Sequence, residues 1–163
     1  MARALLILPS ATYRAREFLA AARRLGVDVV TASDQPQALA SIVEGAFLTV
    51  ALDDPVKAAD AIVAFAGRVP LNAVLAVDDQ GSLAAAIASE RLGLVHNPPD
   101  AVATTRNKAE MRRRLSLGGV RQPEFRVVGE VNSPAADGVL GAAAGLGYPI
   151  VVKPIGLSGS RGV

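Results

Sequence analysis

An α/β fold built on a doubly wound parallel sheet is predicted for residues 1–97 of this 163-residue chain. Three observations predict it. Apolar strand-like runs alternate with helical runs at regular spacing from Arg3 to Val95. Half of the chain is hydrophobic (51%) but only 4% is aromatic, so the core is built from Ala, Val, Leu and Ile, as in sheets whose buried strands read as continuous apolar runs. The pattern then stops at Asn97-Pro98-Pro99-Asp100, where two prolines end the sheet.

The elements follow in order. Arg3 to Leu8 reads as a buried strand, and Ser10 or Thr12 can cap the helix after it. That helix runs to about Leu25, with Phe18, Leu19, Ala22 and Leu25 on one face, and Gly26 ends it. Val27 to Thr31 is the second strand, and Ser33-Asp34 caps a short helix around Pro36 to Val43. Phe47 to Leu52 is the third strand. Asp53-Asp54-Pro55 starts the next helix, with Pro55 at its favoured first position, and Gly67 ends it. Asn72 to Val77 is the fourth strand, Ser82 to Leu92 an alanine-rich helix, and Leu94-Val95 a short fifth strand. Ligands of such sheets gather at the carboxyl ends of the strands. Those ends carry Pro9-Ser10-Ala11-Thr12, Ser33-Asp34, Asp53-Asp54 and Asp78-Asp79; aspartates there also serve as ordinary helix caps. Tyr13 and Arg14, after the first strand, either contact a substrate or pack the first helix.

Beyond the boundary, Asp100 can cap a short segment, Ala101 to Thr105. Arg106 to about Leu117 is a longer helix, broken by Gly118-Gly119. Arg112, Arg113 and Arg114 span less than one turn and read as solvated surface. Pro123 to Val128 has strand character, and Ser133 caps a small-residue helix that reaches Leu146 despite three glycines.

Composition excludes several function classes. Without cysteine there are no disulfides, no thiol catalysis and no cysteine-ligated metal. The single histidine, His96, rules out a multi-histidine metal site and reads as a hydrogen-bonded boundary residue. The net charge of +2 is mild, and aromatics are not interleaved with basic residues, so no nucleic-acid partner is expected. No run of about 18 apolar residues is present to span a membrane. Leu5 to Leu8 is too short for a signal peptide. A cytoplasmic protein is the default expectation.

The last stretch carries the chemistry. In Tyr148-Pro149-Ile150-Val151-Val152-Lys153-Pro154, alternation puts Val151, Lys153 and Ile155 on one strand face and Ile150 and Val152 on the other. A lysine in so apolar a strand is costly unless it reaches an anion or water. Pro154 biases Lys153 toward an extended backbone. Glycines at 156, 159 and 162 follow, with Ser158, Ser160 and Arg161 between them. Flexible N–H groups, hydroxyls and a guanidinium are donors suited to phosphate oxygens. The run is neither a Walker A loop nor a dinucleotide-binding fingerprint; its bland alternative is a Gly/Ser-rich flexible end.

Four features in this order resemble the start of an ATP-grasp protein, most closely the carboxylate–amine ligase branch that includes amino-acid ligases and glycinamide ribonucleotide synthetases. They are the α/β domain, the helix Asn107-Lys108-Ala109-Glu110-Met111-Arg112, the turn Gly119-Val120-Arg121-Gln122-Pro123, and the Lys153 strand with its glycine-rich loop. The resemblance implies a preceding Rossmann-like domain at 1–97, linker helices at 98–122 and an incomplete α+β ATP-binding subdomain at 123–163. It implies ATP binding by Lys108, Lys153 and the loop Gly156, Ser158, Gly159, Ser160, Arg161 and Gly162. Lys108 resembles the linker lysine near the phosphates, Lys153 the strand lysine at the α-phosphate and adenine edge, and the loop the cover over the β- and γ-phosphates. The implied chemistry is phosphorylation of a small-molecule carboxylate to an acyl phosphate, then attack by an amine.

The family's magnesium ligands lie downstream of the loop, and Glu124, Glu130 and Asp137 are unsuited to replace them. The resemblance therefore implies a fragment, with Mg²⁺ expected only in a full-length protein, and with no catalytic or metal-binding residue of its own. An incomplete subdomain is expected to leave an unpaired edge and an apolar face, mobile or docked on another copy. Two other readings are a non-catalytic nucleotide-binding or sensor module and a dimerising domain, since preceding domains of this family often help build a homodimer. A receiver would want an acidic pair after the first strand, where Pro9-Ser10-Ala11 stands.

Overall fold

The structure is a computed structural model that describes residues 1–10, 12, 14–35, 46–129, 136–157 and 162. It divides into two compact units, Met1–Ala103 and Thr104–Val163.

The first unit is the expected α/β layer structure. Strands β1 (Arg3–Ile7), β2 (Asp28–Ser33), β3 (Phe47–Thr49) and β4 (Ala73–Ala76) form one parallel sheet in the order β3-β2-β1-β4. In register, Leu5 of β1 stands between Val30 of β2 and Val74 of β4. The period-2 alternation of β1 decides which helices cover which face. Leu5 and Ile7 share a core with Val30, Ala32, and the residues Ala58, Ala59 and Ile62 of helix α2 (Pro55–Ala66) and Ala84, Ala85 and Ala88 of helix α3 (Asp79–Arg91). Leu6 and Leu8 face the other way, onto Ala15 and Leu19 of helix α1 (Ala15–Leu25). Leu5, Ile7, Leu8 and Ile62 are fully buried, each stabilising the unit by about 1.5–3 kcal/mol.

Helix ends follow local chemistry. The Asp54 carboxylate accepts from the Val56 and Lys57 N–H groups, and Asp78 accepts from Gln80 N–H, so these aspartates act as N-caps. Gly26 closes α1 at φ +64, a conformation in which a β-carbon is unfavourable. Among the described residues no helix is long and apolar enough to cross a membrane.

Several expectations are corrected. Neither Ser10 nor Thr12 is the N-cap of α1: Arg14 holds that position without a side-chain cap bond, while the Thr12 hydroxyl accepts from the Arg14 N–H at 3.3 Å and Ser10 is bonded elsewhere. Leu25 is 77% exposed, at the last turn of α1 and beyond the cover of the sheet. Leu94-Val95 is not a strand. The Leu94 N–H closes α3 by donating to Ser89, and Val95 is fully exposed. Asp100 lies within the first turn of helix α4 (Pro99–Thr105) rather than preceding it. The expected helix at 36–43, Tyr13 and the Ser133 cap lie outside the described residues.

The second unit contains helices α5 (Lys108–Leu117) and α6 (Ala136–Leu146). Neither 123–128 nor 150–155 forms a strand there. Alternation states which side chains would share a face; a strand also needs a ladder partner, and none of the described residues supplies one. Only Ala109 and Ala143 are buried among the unit's described apolar residues, while Leu117, Tyr148, Val151 and Val152 are exposed.

Candidate functional site

The candidate site begins at the first turn of α5. Asn107 takes an extended backbone and its side chain accepts from Glu110 N–H at 3.0 Å, which caps the helix and orients its first residue. That residue is Lys108. Its backbone N–H donates to the Ile155 carbonyl at 3.0 Å, and its ammonium donates to the Leu157 carbonyl. A helix start, a lysine and the opening of the glycine-rich run are thus brought together, although Lys108 and Ile155 lie 47 positions apart in the chain. The helix dipole adds partial positive charge at the same end.

The other end of α5 is fixed by Gln122. Its amide N–H groups donate to the Arg112 carbonyl at 2.8 Å and the Ser116 hydroxyl at 2.6 Å, and its amide oxygen accepts from the Arg112 guanidinium at 3.2 Å. Gly119 turns the chain at φ +68, and Val120 N–H returns to the Leu115 carbonyl. The Gly-Val-Arg-Gln-Pro turn is therefore stapled to the helix that carries Lys108. Asn107 and Gln122 were missed as positioning residues by sequence reasoning; the signals were an Asn three residues before a Glu at a helix start, and a polar residue inside the turn.

Lys153 is exposed and has no hydrogen-bond or ion partner among the described residues. Its ammonium is thus available to a ligand, yet no strand holds it. Gly156 is exposed, and none of the described residues stands within 4 Å of where its β-carbon would be. Gly162 differs: it has φ +72, and a β-carbon there would lie 2.8 Å from Cγ of Pro154. Gly162 therefore lies against the residue after Lys153. Ser158, Gly159, Ser160 and Arg161 lie outside the described residues.

In the first unit, the strand carboxyl ends hold aspartates with structural partners. Asp34 accepts from the Ser10 N–H at 2.7 Å and the Ser10 hydroxyl at 2.8 Å. Partial burial works against its charge, but the Ser10 bonds, its own N–H and the Ser33 hydroxyl outweigh that and lower its pKa. The helix that Ser33-Asp34 is expected to cap lies outside the described residues. Asp54 is also held below the ordinary aspartate value, chiefly by hydrogen bonds from the Lys57 side chain and N–H, and Lys57 is raised in turn. His96 bonds to the Leu94 carbonyl at 2.7 Å, as a boundary residue does. Among the described residues no group of three His, Asp or Glu could hold a metal ion.

Residues 19–96 match the family model described as the ATP-grasp N-terminal domain. No curated protein sequence matches. Among solved structures, an L-amino acid ligase from Bacillus licheniformis is 22% identical, with a TM-score of 0.70 over 96% of this chain and 38% of its own. A glycinamide-RNase-transformylase T from Mycobacterium tuberculosis is 22% identical, with a TM-score of 0.66 over 98% of this chain and 45% of its own. An N5-carboxyaminoimidazole synthase from Aspergillus clavatus, solved with ADP and 5-aminoimidazole ribonucleotide, is 21% identical, with a TM-score of 0.65 over 91% of this chain and 37% of its own. The chain thus spans less than half the length of these structures and shares their fold.

Proposed function

We propose that this chain, whose residues 19–96 match the ATP-grasp N-terminal domain model, is the N-terminal portion of an ATP-dependent carboxylate–amine ligase. Lys108, Lys153 and the run 156–162 begin its ATP site, with 98–122 as the linker that carries Lys108. The observation that carries this reading is the double bond of Lys108 to Ile155 and Leu157, which sets a cation and a helix N-terminus at the opening of a donor-rich loop. The ADP-bound solved structure of similar fold supports the choice of nucleotide.

In the reaction, a carboxylate oxygen attacks the γ-phosphorus of ATP and ADP leaves. The amine nitrogen then attacks the acyl carbon, loses a proton, and expels phosphate. Phosphoryl transfer asks mainly for positioning and charge neutralisation. Lys153 supplies a mobile point charge, and Lys108 supplies a second one fixed at its backbone. The peptide N–H groups of the loop supply uncharged donors.

Among the described residues no three His, Asp or Glu side chains are grouped to hold a metal. The test is ADP release by the gene product in its natural extent, across a panel of amino-acid pairs. Release that requires both a carboxylate and an amine supports the reading. Its absence throughout the panel, with ATP demonstrably bound, contradicts it.

A further inference from the structure

Lys108 makes two bonds of different kinds to one short stretch of chain. The N–H bond to Ile155 joins backbone to backbone and is indifferent to added charge. The ammonium bond to Leu157 joins a cation to a neutral carbonyl. The ammonium–carbonyl bond is already charge-assisted, but an anionic phosphate oxygen is the stronger acceptor because it adds Coulomb attraction between two full charges. The flexible four-carbon stem of a lysine permits the exchange, as the planar fork of an arginine does less readily. Asn107 meanwhile occupies the Glu110 N–H, leaving the Lys108 N–H to Ile155.

We infer that Lys108 is a positioning residue as well as a phosphate ligand. Without a polyphosphate its ammonium pins Leu157. A polyphosphate draws the ammonium off that carbonyl while Ile155 stays held by the N–H. Ligand charge is thereby transmitted to Leu157, and the anchor at Ile155 is the fixed point. The exchange rests on the ATP reading above; the pin does not.

The carbonyl carbon shifts of Ile155 and Leu157 test both halves, because losing a hydrogen-bond donor moves a carbonyl resonance upfield. Wild type and Lys108→Met are compared alone, with ATP and with inorganic tripolyphosphate. The Leu157 carbonyl is expected upfield in the ligand-free variant. In wild type it is expected to move toward that value as either ligand is added, while Ile155 stays in place. Lys108→Arg keeps a cation and should hold Leu157 near the wild-type shift, which reads the pin even if the Met variant unfolds.

Equal Leu157 shifts in ligand-free wild type and Lys108→Met, with residues 3–95 unperturbed, overturn the pin. Resonances that titrate with ligand while Leu157 stands still overturn the exchange and leave the ATP reading intact. No titration by either ligand overturns the exchange and the ATP reading together. Titration by ATP but not by tripolyphosphate overturns the assignment to the phosphate chain.

Discussion

Ser10 and Asp34 are joined twice, N–H to Oδ1 at 2.7 Å and hydroxyl to Oδ2 at 2.8 Å, across the carboxyl ends of β1 and β2. The link ties the loop after one strand to the loop after its neighbour. Because the carboxylate gains these bonds on folding, its folded pKa lies below its unfolded value near 3.9. The stability it contributes is present above that unfolded value and is lost as pH falls through the folded one. Asp34→Asn is expected to cost about 1–2 kcal/mol at neutral pH and to flatten the acid limb of a melting-temperature profile. An unchanged acid limb would remove Asp34 from the account. Asp54 acts in the same direction, whereas raised Lys57 contributes below its ordinary value near 10.4 and is lost in strong alkali.

Gly81 of α3 packs against the end of β1. A β-carbon there would stand 2.6 Å from Cγ2 of Ile7, which is fully buried and cannot swing away. Overpacking of this kind costs about 1–3 kcal/mol, more than the roughly 1 kcal/mol that alanine gains over glycine in a helix. Gly81→Ala is therefore expected to lower the urea midpoint without changing its slope, and a raised midpoint would show that the helix can shift.

Gln122→Ala removes three hydrogen bonds from the face of α5 and its turn. A loss of about 1–2 kcal/mol is expected. Amide exchange from Lys108 to Leu117 should quicken severalfold while residues 3–95 are unaffected. Equal quickening in both units would mean that the staple is not local.

Gly162→Ala meets two obstacles, a left-handed backbone that costs about 1–2 kcal/mol and contact with the Pro154 ring. The variant is expected to shift resonances at Pro154 to Leu157. Pro154→Ala in the same chain should restore part of that shift, because it removes the clash and leaves the backbone cost. No perturbation at 154–157 in Gly162→Ala would mean that the loop end does not rest there.

The parallel sheet was legible because its signals are local and repeated. Apolar runs and glycine stops recur along the βα pattern and Asp54-Pro55 marks one helix start; β1 to β4 overlap the expected runs, although β3 ends at Thr49 rather than Leu52 and α3 begins at Asp79 rather than Ser82. Leu94-Val95 misled because an apolar pair at a helix end serves a capping turn as readily as a strand. Residues 150–155 misled for a related reason: β-branched alternation is a property of one segment, and pairing is a property of two. The link of Ser10 to Asp34 was hidden by chain separation, since each residue alone has a sufficient local role as a cap. At the candidate site, Lys108 and the run after Lys153 were legible by type and order. Their bond was not, because Ile155 and Leu157 take part through carbonyl groups, which every residue carries.

The most direct measurement is an ATP titration of wild type and Lys153→Ala by calorimetry. The exposed ammonium of Lys153, without a partner among the described residues, should contribute a charge-assisted bond to phosphate, so affinity is expected to fall about tenfold or more in the variant, or about 1.4 kcal/mol. Undiminished ATP binding by Lys153→Ala would contradict the claim that this lysine and the glycine run after it hold a nucleotide.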